Sequence, residues 1–470
     1  MCELILGRDT EGIRTLERAH HAHLESAAPL PAARSAFWLG FRLTAAGEMG
    51  RGTGWLARSQ RLVDDCGQDC AERGYLTLAD ARRLLESGDP VGARGLASEA
   101  ERIGERFHEA DLLALARSVQ GHAFLRELRV DDGLRLFDEA MVSASGGELS
   151  PVTTGFVYCS VIWGCQQVYA LDRAREWTEA LKTWCDAQPD GVAFSGHCQL
   201  HRSEILQLEG AWSDAIEEAR RASARLVASL REGEAAPAFY QEAEVHRLRG
   251  EVDEAEKAYR EASRWGWDPQ PGLALLRLSQ GRAGEAKAAM SRALAAATDR
   301  IKRTRLLPAH VEIALAAGDL EDARRSAREL DEIARSLHAD VLDAMAAHAA
   351  GAVALAEGDA RSALPLLRSS FETWRRLGAP YLAARVRAAL SGACRALGDE
   401  DGCRLERDAA RAVFEELGAA PDLARLDGDA PGPERSTGER PHGLTPRELQ
   451  VLRLVATGKT NRTIADELFL

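Results

Sequence analysis

Read for its apolar positions, the chain is helical along nearly its whole length. Small and apolar residues recur three and four positions apart. After Gly250, for example, Val252, Ala255, Tyr259 and Ala262 fall on one face of a helix. Alternating β-branched runs are scarce. The most strand-like stretch, Phe156 to Val168, reads as a buried helix within a helical array.

Within this pattern one phrase repeats. A helix-ending Gly, often followed by Asp or Glu, precedes a small residue five positions on. Gly88 pairs with Ala93, Gly210 with Ala215, Gly250 with Ala255 and Gly281 with Ala286; Gly318 with Ala323, Gly358 with Ala363 and Gly398 with Cys403. Weaker copies lie at Gly7/Gly12, Gly47/Gly52 and Leu128/Gly133, and a degenerate one near Asp172 to Trp177. The usual step is about 40 residues, and the step from Gly250 to Gly281 is shorter. The physics is that Gly takes a left-handed conformation where one helix ends, without a Cβ penalty. An acidic residue then meets the positive end of the next helix dipole. The small residue lets the antiparallel partner come close. Such pairs stack into a superhelix whose concave face takes a protein, a peptide or a small effector.

The segment Phe239 to Ala262 resembles a tetratricopeptide repeat. Ala243 falls at that motif's small position in the first helix. Ala255, Tyr259 and Ala262 fall at its second-helix positions, and Pro269 lies near its closing proline. The expected fold class is therefore all-α: a TPR-like α-solenoid of helix pairs over residues 1–426. The phrase at Gly7 follows the N-terminus so closely that the chain is expected to begin inside an array.

Composition limits the function. Net charge is −13, a poor footprint for a body that binds nucleic acid. From Glu434 to Leu470, six Lys/Arg face five Asp/Glu, so the C-terminal segment is about neutral. No run of about 18 apolar residues and no secretory leader is present, so the sequence predicts no membrane contact and a cytoplasmic location. Nine cysteines in such a chain read as reduced, mostly buried thiols.

Helical patterning fades after Leu426. Residues 427–443 are rich in Pro, Gly, Ser and charge, and read as a flexible linker. Order returns over residues 444–470. Thr445 and Glu448 form a capping box around Pro446, and Leu444 and Leu449 can staple it. Leu449, Leu452, Val455 and Ala456 make one apolar stripe, Gly458 ends the helix, and Thr460 caps a second helix with Ile464, Ala465 and Leu468 inside. This is a helix-turn-helix pattern.

Those residues, from Leu444-Thr445-Pro446-Arg447-Glu448 through Thr460-Asn461 and Ile464-Ala465, resemble the start of the LuxR-type DNA-binding domain. The resemblance implies a bacterial transcriptional regulator, with the repeat body as input and the helix-turn-helix as output. It also implies a recognition helix and a fourth, dimerising helix, hence a homodimer. The chain stops at Leu470, before either, and is expected to bind DNA only in a completed domain. Lys459, Thr460, Asn461 and Arg462 occupy the N-terminus of the second helix, where they would contact phosphates. The other reading is a non-enzymatic TPR-like protein-interaction scaffold with a vestigial DNA-binding segment.

No catalytic constellation emerges. Gly458-Lys459-Thr460 lacks the upstream Gly and the preceding strand of a phosphate-binding loop. Cys185, His197, Cys198 and His201 lack zinc-site spacing, and His20, His21 and His23 read as a solvated helix face. Neither a cofactor, a metal nor an enzymatic activity is expected. Trp163, Trp177, Trp184 and Trp212 read as packing between repeats, or as the lining of a ligand groove.

Overall fold

The computed structural model describes residues 9–188, 194–228, 232–428 and 446–456. Among these residues there is no strand, and the helices from Pro29–Ala45 to Glu400–Leu417 form ten successive antiparallel pairs. Asp9–Glu25 precedes the first pair and Ala420–Gly428 follows the last. Phe156 to Val168 lies almost wholly in the mostly buried helix Pro151–Gln167, as the pattern predicts.

The period is set by the turns. A left-handed residue punctuates the chain about every 20 positions, as at Gly318 (φ 75°), His338 (49°), Gly358 (81°), Gly378 (66°), Gly398 (75°) and Gly418 (71°). Helices of 17 or 18 residues fill the intervals. The glycine phrase is thus one of two turns per repeat. Its degenerate copies keep the conformation without glycine: Leu128 has φ 61°, and Tyr169, ahead of Asp172, has φ 60°. The short step after Gly250 arises because both helices of that interval are short, Val252–Arg264 with 13 residues and Gly272–Ser279 with 8.

The acidic residue after the Gly does more than meet a dipole. Asp89, Asp319, Asp359 and Asp399 each accept a hydrogen bond from the backbone N–H three residues on, at 2.9–3.1 Å.

The small position is where the two helices of a pair cross. Ala93, Ala215, Ala255, Ala286, Ala323 and Ala363 are fully buried. Twelve residues earlier a second small residue meets each of several such positions. Ser203 Oγ donates to Ala215 O, and Ser391 Oγ donates to Cys403 O at 3.0 Å. At Gly121 and Gly133 the helices touch backbone to backbone: a Cβ on Gly133 would lie 2.8 Å from Gly121 O.

The two helices of a pair are buried differently. The second helix shows one face, as in Leu320–Leu337, where Ala323, Ser326, Ala327, Leu330, Ile333, Ala334 and Leu337 are buried. The first helix is buried nearly all round, as in Arg300–Ala316. It packs on its own partner and on the first helices of neighbouring pairs. First helices therefore line the inside of the superhelix.

Successive turns of the superhelix touch. Tyr169 Oη lies 3.1 Å from Thr304 Oγ1, 135 residues on, and Arg175 Nη2 donates to Leu377 O, 202 residues on, at 2.9 Å. Arg126 and Asp299 form an ion pair at 3.2 Å. Gly210 abuts Pro380 and Leu417, and Gly250 abuts Ala420 and Pro421. The chain thus returns to itself after about 170 residues, or roughly four repeats.

One histidine departs from the sequence reading. His20 is fully buried, its Nδ1 2.9 Å from Ala32 O and its ring edge-on to Trp55 at 5.0 Å. It occupies an inward position of its helix, whereas His21 is exposed.

The turn and crossing geometry predicts substitutions of opposite sign. Gly133→Val, forced against the Gly121 carbonyl, is expected to destabilise by about 1–3 kcal/mol. Gly358→Ala, held at φ 81°, is expected to cost about 1–2 kcal/mol. Gly95→Ala, in mid-helix with nothing within 4 Å of a new Cβ, is expected to stabilise by about 0.5–1 kcal/mol. Urea or thermal unfolding reads all three.

Candidate ligand lumen and C-terminal motif

The inner faces of several first helices line a partly open cavity of about 700 Å³. Arg300–Ala316 supplies Arg305, Pro308, Ala309, Glu312 and Leu315, spaced three and four apart along one stripe. Asp340–Ala356 supplies Met345, His348, Ala349 and Ala352 at the same spacing. Leu275 and Leu278 from Gly272–Ser279, Leu382 and Arg385 from Pro380–Ala396, and Pro421, Ala424 and Arg425 from Ala420–Gly428 complete the lining with Trp374. The wall is largely apolar, and its polar groups are gathered from helices far apart in sequence.

Glu312 anchors the polar side. Its two carboxylate oxygens accept from Arg385 Nη2 at 2.6 Å and Arg425 Nη1 at 3.0 Å. Burial raises the carboxyl's pKa, but Arg385 and Arg425 together overcome it and hold it down to about 2. Beside it Tyr381 Oη donates to Asp422 Oδ2 at 2.9 Å, and Asp422 Oδ1 lies 3.9 Å from both Arg385 Nε and Arg425 Nη1. Two arginines and two carboxylates thus balance, and tie the body's last helix to the inner wall. His348, half-buried in the cavity wall, is pushed down to about 4 by burial and then by Arg385, so it is neutral at ordinary pH.

Sequence reasoning missed these residues, because Glu312 and Arg385 are 73 positions apart. The available signal is that helices buried on every side, such as Arg300–Ala316, carry isolated polar residues on a stripe of their own.

The sequence-marked tryptophans divide. Trp212 is buried against Tyr381, with ring centroids 5.3 Å apart. Trp177 and Trp184 pack against the N-terminal core, whereas Trp163 stays 45% exposed beside His122. None of the four lines the cavity. Among the described residues no three His, Cys, Asp or Glu side chains are grouped to hold a metal. Cys198 is buried beside Cys185, whose hydrogen bond, followed by burial, raises its thiol pKa. No helix of the described residues is long and apolar enough to cross a membrane.

Of the C-terminal motif, the described part is the helix Pro446–Ala456. Glu448 is exposed near its start. Leu452 and Val455, half of the expected apolar stripe, are 54% and 50% exposed. Thr445, Lys459, Thr460, Asn461 and Arg462 lie outside the described residues.

Paired helices on a 40-residue period, crossing at small residues around a lumen, define a TPR-like α-solenoid. Residues 442–470 match the family of bacterial regulatory proteins, luxR family. No curated protein sequence matches the chain significantly. Similar solved structures include the APC/C hetero-tetramer Cut9–Hcn1, at 16% identity over 91% of this chain and 93% of that one, with a TM-score of 0.38. Yeast Tom70 is 11% identical over 89% and 95%, with a TM-score of 0.36. BtubC from P. vanneervenii is 19% identical over 50% of this chain and 97% of its own, with a TM-score of 0.32. At such scores the fold assignment rests on the helix geometry itself.

The network around Glu312 predicts where the body loosens first. Tyr381→Phe leaves buried Asp422 short of a donor and is expected to cost about 1–3 kcal/mol. Amide hydrogen exchange should rise in Ala420–Gly428 and stay unchanged in Pro90–Phe107. Unchanged exchange over Ala420–Gly428 would show that the hydroxyl does not hold the helix.

Proposed function

We propose that the protein is a transcriptional regulator acting in the cytoplasm. Residues 1–426 form its input body, 427–443 its linker and 444–470 the start of its DNA-contacting domain. The observation that carries this reading is the luxR-family match of residues 442–470. It is supported by the position of Ala420–Gly428, which lines the cavity and runs into the first two residues of the linker. A ligand in the lumen touches the helix from which the output segment hangs. The cavity's size suits a small effector better than a folded partner.

In this reading Lys459, Thr460, Asn461 and Arg462 hold phosphates at a helix N-terminus, where charge and free N–H groups fix position without reading sequence. Two copies of the chain bind together through the domain's further helix. No catalytic step is assigned to the protein.

The test is DNA binding by the chain continued past Leu470 with the recognition helix and final helix of family domains. Affinity should fall steeply with salt. Lys459→Ala should weaken binding about equally across sequences and lower the salt slope by about one. Tight binding untouched by Lys459→Ala and Arg462→Ala would remove the phosphate role. No DNA binding at all would favour the interaction scaffold.

A further inference from the structure

The cavity carries a charge that its own walls do not answer. Five of its six polar lining residues are accounted for: Arg385 and Arg425 are committed to Glu312, Ser279 Oγ donates to Leu276 O at 2.8 Å, and His348 is neutral at ordinary pH. Arg305 is the exception. Its guanidinium is exposed to the lumen and sits 6.0 Å from the ring centres of both Tyr240 and Trp267. Among the described residues it makes no hydrogen bond or ion pair. The carboxylates whose fields reach it are Glu204 and Glu244. Glu204 accepts from Gln166 and lies 3.6 Å from His201, and Glu244 accepts from Arg247 at 2.8 Å and from Tyr259.

We propose that the lumen binds an organic carboxylate with an apolar body. The carboxylate pairs with Arg305, and the body lies along Leu275, Leu315 and Met345. This rests on the reading of the lumen as the input site, and names its ligand class. A guanidinium offers a planar fork of donors that a carboxylate fits in two-point fashion. The balanced cluster at Glu312 adds no net charge, so Arg305 sets the sign of the cavity. The volume of about 700 Å³ falls within the range of small-molecule sites, roughly 300–1,000 Å³. The apolar wall rewards a hydrocarbon or aromatic body that shields the ion pair from water.

The experiment titrates the full chain by calorimetry with four probes: submicellar decanoate, decanol, decyltrimethylammonium and acetate. Decanoate is expected to bind at one site, roughly tenfold or more tighter than decanol, with no binding of the cation or of acetate. Arg305→Met should weaken decanoate by roughly ten- to a hundredfold and leave decanol and the thermal midpoint unchanged. Ala352→Phe, narrowing the cavity, should weaken both. If decanol or the cation binds as well as decanoate, the anion class is wrong and the lumen remains a ligand site. If none of the four binds, the lumen is not an input site for such ligands and the proposal falls with it. If decanoate binds but neither variant changes it, the site lies elsewhere and the proposal is overturned. DNA binding is not read in any arm, so failure here is separate from failure of the regulatory assignment.

Discussion

Everything in the body follows from the close approach of paired helices at a small residue, repeated at a fixed interval. A left-handed turn about every 20 residues fixes helix length. The buried Ala, Gly or Cys five positions after every second turn fixes how near the partner comes. Because each pair has nearly the same geometry, each adds a similar rotation, and the rotations accumulate into a superhelix. After roughly four pairs the chain meets itself, as Arg126 meets Asp299 and Gly250 meets Ala420 and Pro421. The lumen is the space this winding leaves.

What fills the inner wall has an energetic logic. Glu312, Arg385 and Asp422 are largely withdrawn from bulk water, which costs free energy that apolar residues would not incur, while Arg425 reaches them from the exposed side of its helix. Their pairing offsets that cost only when the last helix is seated, because Asp422 and Arg425 both belong to it. The network therefore specifies one position for Ala420–Gly428. It also places charged groups beside an apolar cavity whose occupant would touch the same helix.

The sequence showed the repeat more fully than the structure built from it. The phrase at Gly88, Gly210 or Gly358 marks turn, cap and crossing at once, because local backbone chemistry demands those residue types. The intervening turns at His108, Gly147 or His338 went unread, since no small residue at a fixed spacing accompanies them. His20 was misplaced because three adjacent histidines resemble a solvated face, while the burial of one depends on Trp55 and Ala32 in other helices. The lumen was expected only in outline. Its walls come from helices brought together by the superhelix, and pairs such as Glu312 with Arg385 leave no short-range trace. The motif at Thr445 and Glu448, by contrast, is local, and the residues that follow its proline, Pro446–Ala456, are helical.

Closure of the superhelix on its last helix is the claim on which the lumen and its proposed coupling to the linker both depend. A Cβ added at Gly250 would lie 3.5 Å from the Ala420 Cβ, within the span of about 3.5–4.5 Å that a disulfide bridges; it also meets Pro421 Cδ at 3.0 Å and stands at φ 78°, so the reduced variant is first checked for a wild-type thermal midpoint. The direct measurement is therefore oxidative cross-linking of the chain carrying Gly250→Cys and Ala420→Cys, read by peptide mapping that separates this pair from the native cysteines. The closed superhelix predicts a rapid, near-complete bridge between positions 250 and 420 within one chain. An open solenoid would leave the two thiols unbridged under conditions that join a control pair placed across one helix hairpin, and that result would contradict the account.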